Sequence, residues 1–298
     1  MSAPLPSPLV HAQVAHAQVA HAMTVDVEDY FHVQAFAGVI DPANWDSLPR
    51  RVEANTDRIL ALLDAKGVKA TMFTLGWVAE RHPQIVRRIV AAGHELASHG
   101  YGHQRVDVIG PEAFRADISR ARALLEDIGG VAVRGYRAPT FSIGPHTPWA
   151  YDILAETGHA YSSSLYPVRH DLYGAPDAPR FPYRPGDGRI CELPMSTVDL
   201  FGQNLPVSGG GYFRLLPYAL YRFGFSRFAA STGQSGIFYT HPWEIDPGQP
   251  RIANASRLSK FRHYLNLHRC AGRLQSLLAD FVWDRVDRVY AGAIDRTA

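Results

Sequence analysis

The stretch "ELASHGYGH" (residues 95–103) sets His99 and His103 four residues apart, with Gly100 and Gly102 between them. On a helix this spacing would bring both imidazoles onto one face. Glycine inside a helix costs roughly 0.5–1 kcal/mol relative to alanine, so two glycines in four residues argue against a helix. The short apolar run before His99 is typical of a buried strand. The sequence therefore predicts that His99 ends a strand and that His103 lies on the loop that leaves it.

Strand-like and helix-like segments alternate on both sides of this stretch. The predicted strands are "AMTVDV" (22–27), "KATMFTLG" (69–76), "HELASH" (94–99), "VRGYRAP" (133–139), "HAYSSS" (159–164) and "SGIFYTH" (235–241). The predicted helices are "TDRILALLDAKG" (56–67, with Thr56 as N-cap), "HPQIVRRIVAAG" (82–93), the segments 110–130 and 147–158, and the C-terminal 259–286. This alternation predicts a parallel sheet covered by helices, either a barrel or an open α/β sheet.

The 298 residues divide into three parts by composition. Residues 1–22 carry the repeat "HAQVA" twice and are expected to form a low-complexity, disordered tail, with Met23 as an alternative start. Residues 23–245 are expected to form one α/β domain. Within it, segment 166–211 is dense in proline and glycine and should shape the rim of a site. Residues 246–298 should form a helical extension packed on this domain.

Charge and composition exclude several classes of protein. The net charge of +2 gives no sign of nucleic-acid binding, and two cysteines do not make a disulfide framework. No run reaches the roughly 20 apolar residues that a membrane helix needs. The first residues lack the basic and apolar regions of a signal peptide, so a cytoplasmic location is expected, with peripheral association with an envelope polysaccharide machinery as an alternative.

Chemically active side chains collect at the predicted strand ends. In parallel α/β folds these ends meet at one edge, where ligands bind. The residues found there are Asp26, Glu28, Asp29, His99, His103, Arg137 and His241. Two imidazoles and a carboxylate that leave positions open for water are typical of a catalytic metal site, most often zinc.

Four motifs at these positions resemble the NodB-type polysaccharide deacetylases of carbohydrate esterase family 4. They are "TVDVED" (24–29), "SHGYGH" (98–103), "YRAPTF" (136–141) and "FYTHPWE" (238–244). The surrounding stretches "DVEDYFHVQAF", "LGWVAERHP" and "GGGYFRLLPY" resemble the deacetylases of bacterial exopolysaccharide and exosortase loci. The resemblance implies a distorted (β/α) barrel with fewer than eight strands and a C-terminal helical extension.

The resemblance also implies a reaction, the removal of N-acetyl groups from an acetylated amino-sugar polysaccharide or oligosaccharide. It implies one divalent metal, expected to be Zn²⁺, with Co²⁺, Mn²⁺ or Ni²⁺ as alternatives, on His99 and His103. The third ligand is Asp29 or Glu28. Asp29 is preferred because aspartate is the ligand type of the family, although side-chain alternation would put Asp26 and Glu28 on one face.

The remaining roles follow from the same resemblance. Asp26 is the base, Arg137 orients it, His241 is the acid, and the backbone N–H near Thr140 stabilises the oxyanion. From their residue types, Tyr212, Phe213 and Trp243 are expected either to form a sugar-stacking wall or to pack in the core. Alternative functions are hydrolysis of a small nitrogen compound, as in allantoinase-like relatives, or carbohydrate binding without catalysis.

One position departs from the family. Relatives often carry an aspartate near Ser162 that tunes the acid histidine. Either another acid replaces it, with Glu192 and Asp199 as candidates, or His241 is tuned less strongly. The last case would lower the alkaline limb of the pH profile.

Overall fold

The computed structural model describes residues 19–296. Its strands are β1 (His21–Val27), β2 (Thr71–Thr74), β3 (Glu95–Ser98), β4 (Gly135–Tyr136), β5 (Tyr161–Ser162), β6 (Cys191–Glu192), β7 (Thr197–Leu200), β8 (Gln203–Pro206), β9 (Ile237–Thr240) and β10 (Trp283–Asp284). Its helices are α1 (Val52–Asp64), α2 (Gly76–Arg81), α3 (Pro83–Ala91), α4 (Val106–Gly129), α5 (Trp149–Glu156), α6 (Gly210–Leu215), α7 (Tyr218–Thr232), α8 (Arg257–Tyr264), α9 (Leu267–Asp280), α10 (Val286–Val289) and α11 (Ala291–Ile294).

The main sheet is parallel and curves into a half-barrel surrounded by helices. Seven strands lie side by side in the order β9-β1-β2-β3-β4-β5-β6, and the two-residue β10 pairs with the beginning of β1. The strand β1 is therefore central, and its burial is complete along its length, as expected for a strand covered on both faces. The predicted distorted (β/α) barrel is confirmed.

The open side of the half-barrel, between β6 and β9, is filled by the predicted rim segment. Within it, β7 and β8 form an antiparallel hairpin. The Ser196 side chain accepts a hydrogen bond from the N–H of Ile237, at 2.7 Å, and the Ser208 carbonyl accepts one from Tyr239, also at 2.7 Å. These contacts tie the rim to β9 and hold the strand end that precedes His241.

The beginning of α1 differs from the sequence prediction. The helix starts at Val52, whereas Thr56 was expected to cap it. The Asp29 carboxylate accepts hydrogen bonds from the N–H groups of Arg51 and Val52, at 2.6 and 2.9 Å, and so satisfies the first turn from a distant segment. A cap supplied by the tertiary structure leaves no local sequence signal, which explains the error.

The two ends of the described chain meet in the same sheet. His21 and Ala22, predicted to belong to the tail, are the first residues of β1 and pair with β10. The rest of that tail prediction falls on residues 1–18, outside the described residues. The division at residues 245–246 stays a prediction. Within residues 19–296, no helix is both long and apolar enough to cross a membrane.

Candidate active site

Four side chains at strand ends line one small pocket, and a fifth, that of Arg137, contacts one of them. Asp26 belongs to β1 and Glu28 follows it, while His99, Arg137 and His241 follow β3, β4 and β9 directly. Because these strands are parallel and adjacent, their carboxyl ends meet at one edge of the sheet. The pocket has a volume of about 140 Å³, and its lining includes Asp26, Glu28, His99, His103, Thr140, His241 and Trp243.

Three of these residues form a cluster suited to a metal ion. One ligand atom each from Glu28, His99 and His103 lies within 4.8 Å of the others. Nε2 of His103 is 2.7 Å from Oε2 of Glu28. That buried oxygen nevertheless has no hydrogen bond of acceptable geometry within the described part of the chain. A buried carboxylate oxygen without a donor costs free energy, so a cation between it and the imidazoles fits the site.

Asp29 lies apart from this cluster. Its carboxylate is buried and accepts N–H groups from Tyr30, Arg51 and Val52. It therefore stabilises the turn that follows β1 and the first turn of α1. The geometry favours Glu28, the alternative ligand, because alternation along β1 continues past Val27 and puts Asp26 and Glu28 on the same side.

The imidazole of His99 is held in the tautomer that a metal ligand requires. Its Nδ1 lies 2.9 Å from the carbonyl oxygen of Arg137. A carbonyl only accepts, so Nδ1 carries the hydrogen and Nε2 keeps its lone pair. Burial lowers the pKa of His99 to about 4, which keeps the ring neutral. The nearby imidazoles outweigh the effect of burial on Glu28 and hold the pKa of that carboxyl well below its usual range.

The loop that carries His103 explains the glycines of the opening stretch. Gly100 has φ +75°, and a Cβ there would lie 2.7 Å from Oδ2 of Asp117. This carboxylate, on α4, accepts the N–H groups of Tyr101 and Gly102 at 2.7 and 3.1 Å. Gly102 meets nothing closer than 3.7 Å. One glycine is therefore required by the turn, and Asp117 braces the loop.

Arg137 connects the candidate base to the barrel interior. It is completely buried, and its Nη1 donates to Oδ1 of Asp26 at 2.7 Å and to the Thr24 hydroxyl at 2.7 Å. Its other donors reach the carbonyl and hydroxyl oxygens of Ser163. The second oxygen of Asp26, Oδ2, lies 3.9 Å from Nε2 of His241. Arg137 thus fixes one carboxylate oxygen and leaves the other facing the pocket.

His241 is partnered by a carboxylate that the sequence interpretation missed. Nδ1 of His241 lies 2.7 Å from Oε1 of Glu244, and Oε2 of Glu244 accepts from Nε of Arg214 at 2.7 Å. Burial alone would lower the pKa of His241. The hydrogen bond to Glu244 and the charges of Glu28 and Asp26 overcome it and raise that pKa to about 9. Of the two alternatives, this contact favours replacement of the aspartate by another acid, and that acid is Glu244.

Neither carboxylate suggested as the replacement contacts His241. Glu192 accepts the N–H groups of Ser164 and Leu165, both at 2.9 Å. Asp199 lies on the exposed part of the hairpin strand β7. The Ser162 hydroxyl donates to that of Ser164. The useful signal was in the motif itself, because Glu244 stands three residues after His241 and a short 3₁₀ turn, Pro242–Ile245, brings the two together.

The three residues expected to stack on sugar have different environments. Phe213 is completely buried against Tyr221 and Phe238, so the structure excludes it from contact with a substrate. Trp243 is 5% exposed, and its Nε1 donates to Oε1 of Glu28 at 3.1 Å. Its main contact thus orients the candidate metal ligand. Tyr212 is half-buried and lines a neighbouring cavity.

Thr140 has φ +57° and ψ +26°, a left-handed conformation that is strained for a β-branched residue. It sits in the short turn Pro139–Phe141 that follows Arg137, and it lines the pocket. Strained backbone of this kind is concentrated at functional sites, where the surroundings hold it in place.

Two stretches of the chain match the models of known protein families. Residues 43–161 match the family model described as polysaccharide deacetylase. The chain therefore carries a polysaccharide deacetylase domain of carbohydrate esterase family 4. Residues 163–291 match a second model, described only as a domain of unknown function, DUF3473. His99, His103 and Arg137 lie in the first region, and Arg214, His241 and Glu244 lie in the second.

Two curated relatives illustrate the similarity. A peptidoglycan-N-acetylglucosamine deacetylase of Bacillus cereus is 36% identical over 84 residues, which are 28% of this chain and 30% of the relative. A chitooligosaccharide deacetylase of Sinorhizobium fredii is 32% identical over 112 residues, 37% of this chain and 49% of the relative. The matched part thus spans less than half the length of either relative.

Solved structures share the fold over nearly the whole chain. A provisionally assigned polysaccharide deacetylase from Mycobacterium smegmatis superposes with a TM-score of 0.59 at 22% identity, covering 96% of this chain and 94% of the other. The Puue allantoinase superposes with a TM-score of 0.57 at 18% identity, covering 99% and 100%. At these identities the comparison concerns the fold alone.

Proposed function

We propose that the protein is a metal-dependent hydrolase that removes N-acetyl groups from the amino sugars of a polysaccharide. The observation that carries the proposal is the grouping of Glu28, His99 and His103 in the same pocket as Asp26 and His241. A set of metal ligands, a general base and a general acid in one pocket are suited to metal-dependent hydrolysis of an amide. The relatives named as deacetylases of peptidoglycan and chitooligosaccharide support this substrate class.

The metal is a divalent ion held by Glu28, His99 and His103, with zinc as the first choice because of the two imidazoles. Glu28 takes the place that the sequence assigned to Asp29. When bound, such an ion supplies Lewis acidity that polarises a carbonyl and makes water more acidic. The neutral, correctly oriented ring of His99 and the ionised Glu28 are ready to bind it.

Asp26 takes the proton of the attacking water through Oδ2. Its other oxygen is held by the buried guanidinium of Arg137, at 2.7 Å, so a charge-assisted hydrogen bond orients the carboxylate. Water that attacks the acetyl carbon from this side loses its proton to an oxygen that no other contact fixes within the described residues.

His241 gives a proton to the amine nitrogen as the carbon–nitrogen bond breaks. Nε2 faces the pocket at 3.9 Å from Asp26, while Nδ1 is occupied by Glu244. The raised pKa of about 9 keeps the ring protonated at neutral pH, as an acid must be. Products are acetate and a free amino sugar.

The backbone at Thr140 stabilises the oxyanion that develops on the acetyl oxygen. Its left-handed conformation is held by the turn after Arg137, and a fixed N–H group is effective because it needs no reorganisation during the reaction. Tyr212 contributes to the sugar-binding wall. We assign the polymer to a bacterial exopolysaccharide on the sequence stretches that resemble deacetylases of such loci.

The test combines metal content with acetate release from an N-acetylated glucosamine oligosaccharide. We expect purified protein to bind one divalent ion, and His99→Ala and Glu28→Gln to lose both the ion and the activity. Asp29→Asn is the matched control, because it changes the neighbouring carboxylate and should keep the metal. Retention of the ion by Glu28→Gln, with loss in Asp29→Asn, would return the ligand to Asp29.

A protein that releases no acetate from the oligosaccharide, but opens a small cyclic amide such as allantoin, would overturn the proposed substrate class. Full metal binding with neither activity would favour a carbohydrate-binding role.

A further inference from the structure

A second cavity adjoins the catalytic pocket. Its volume is about 360 Å³, and it shares Val33, Tyr173 and Trp243 with the lining of the catalytic pocket. Trp243 is also the residue that donates to Glu28. The cavity is therefore next to the place where the reacting group of a substrate would lie.

The far end of the cavity is apolar and accessible. Leu258 and Phe261, three residues apart on one face of α8, are 54% and 56% exposed, and Leu215 at the end of α6 is 48% exposed. Large apolar side chains that remain this exposed in a concave surface mark a place where apolar ligands bind. A sugar unit would leave its hydroxyl groups poorly satisfied beside these side chains.

The charged residues of the lining already have partners. Nη1 of Arg262 contacts both carboxylate oxygens of Asp171, at 2.8 and 3.1 Å. Arg214 is buried and paired with Glu244. These arginines are therefore not available to bind an anionic group. The rest of the lining is suited to a hydrocarbon ligand.

We propose that the apolar part of this cavity, at Leu215, Leu258 and Phe261, binds a hydrocarbon chain attached to the glycan whose N-acetyl group enters the catalytic pocket, while Tyr212 contacts the sugar. The proposal rests on the proposed function, since it extends the substrate of the same site. The position of the cavity beside the catalytic pocket, with Val33, Tyr173 and Trp243 in both linings, favours this occupant over a protein partner.

The experiment uses a series of alkyl glycosides of N-acetylglucosamine, from methyl to octyl, kept below the concentration at which they form micelles. Equilibrium binding is measured by calorimetry, and acetate release is measured on the same compounds. Burial of one methylene strengthens binding by up to about fourfold, so even half-burial along the chain predicts roughly a hundredfold gain from methyl to octyl. The gain should appear in KM and in the binding constant.

Phe261→Asn and Leu258→Asn should remove most of the gain in affinity from methyl to octyl. The matched controls are Phe223→Asn and Leu220→Asn on α7, which are 64% and 53% exposed but lie outside the lining of the cavity. These controls should keep the full dependence on chain length.

Deacetylation without any dependence on chain length would overturn this inference and leave the proposed function standing. Binding that increases with chain length, without acetate release from these compounds or from the N-acetylated oligosaccharide, would support the cavity and overturn the proposed function. If Phe261→Asn changed only the oligomeric state in sedimentation, the groove would be covered by a second copy of the chain and the inference would be wrong.

Discussion

Oε1 of Glu244 lies 2.7 Å from Nδ1 of His241, and both residues belong to one short segment after β9. The carboxylate is completely buried and is held on its other side by Arg214, at 2.7 Å. Burial would raise the pKa of Glu244, but the charges of Arg214 and His241 outweigh it and lower that pKa to about 2. Glu244 is therefore ionised throughout the range in which the enzyme would work.

The first prediction concerns the pH profile. Glu244→Gln removes the charge that helps to raise the pKa of His241 to about 9. The alkaline limb of kcat for deacetylation should then move to lower pH by about one to three units, because the acid loses its proton earlier. Glu192→Gln is the matched control, since this buried carboxylate contacts Ser164 and Leu165 instead of His241. An unmoved limb in Glu244→Gln would show that another group is the acid.

The second prediction concerns Trp243. Trp243→Phe keeps an aromatic ring but removes the indole N–H that donates to Glu28 at 3.1 Å. Loss of a hydrogen bond that orients a metal ligand typically weakens metal binding by about 10–100-fold. Trp283→Phe loses an equivalent indole hydrogen bond, at 3.0 Å to the carbonyl of Leu277, far from the site. Competition with a chelator should therefore separate the two variants, and equal affinities would refute the orienting role.

The third prediction compares the two glycines of the opening stretch. Gly100→Ala forces a side chain into φ +75° and against Asp117, so it should lower the free energy of unfolding by about 1–2 kcal/mol. It should also weaken metal binding, because the same loop carries His103. Gly102→Ala should be nearly neutral, since its Cβ finds only ordinary contacts. Urea unfolding and metal titration measure both effects. A neutral Gly100→Ala would mean that the loop is not constrained as described.

The fourth prediction concerns stability in acid. Nδ1 of the buried His94 accepts the N–H of Ala70 at 3.0 Å, and burial lowers the pKa of His94 to about 4. Below the ordinary histidine pKa of about 6.5, His94 is protonated in the unfolded chain but stays neutral in the folded protein. The free energy of unfolding therefore falls as the pH falls from about 6.5 to 4.

His94→Asn keeps an acceptor and removes this titration. Between pH 7 and 5, the wild type should lose about 2 kcal/mol more of its free energy of unfolding than the variant. Urea titrations at both pH values give the difference, in which the contributions of other groups cancel. Parallel losses in the two proteins would contradict the assignment.

The barrel and the edge that carries the site could be predicted because they depend on local patterns. Alternating strand and helix segments imply a parallel sheet, and parallel strands bring Asp26, His99, Arg137 and His241 to one edge. The choice of Glu28 or Asp29 as the third metal ligand depended instead on the tertiary structure, because the first turn of α1 contacts the Asp29 carboxylate. The Asp29 carboxylate accepts hydrogen bonds from the N–H groups of Arg51 and Val52, which lie 22 and 23 residues away. No local sequence pattern predicts this contact.

The partners of the acid histidine show the same limit. Glu244 was inside a recognised motif, but its effect depends on a 3₁₀ turn that was not predicted. Arg214 lies 30 residues from Glu244, and only the packing of α6 against the turn after β9 brings them together. Phe213, next to Arg214, was expected in the site because it is aromatic, although the same helix turns it into the core. Adjacent residues on a helix face different directions, and composition alone does not decide which one is inside.

The pairing of β10 with β1 sets an order of events during synthesis. His21 and Ala22 find their partners at Trp283 and Asp284, and Ala22–Val25 pair with β9 more than 200 positions later. The strand that bears Asp26 is made before its partners in the sheet, and it cannot complete its pairing until residues 237–240 and 283–284 have left the ribosome. Contacts this distant in sequence carry a large loop-closure cost and slow folding. The catalytic edge is therefore completed late, and until β9 is made one side of β1 stays without its partner strand, a state that favours aggregation of the nascent chain.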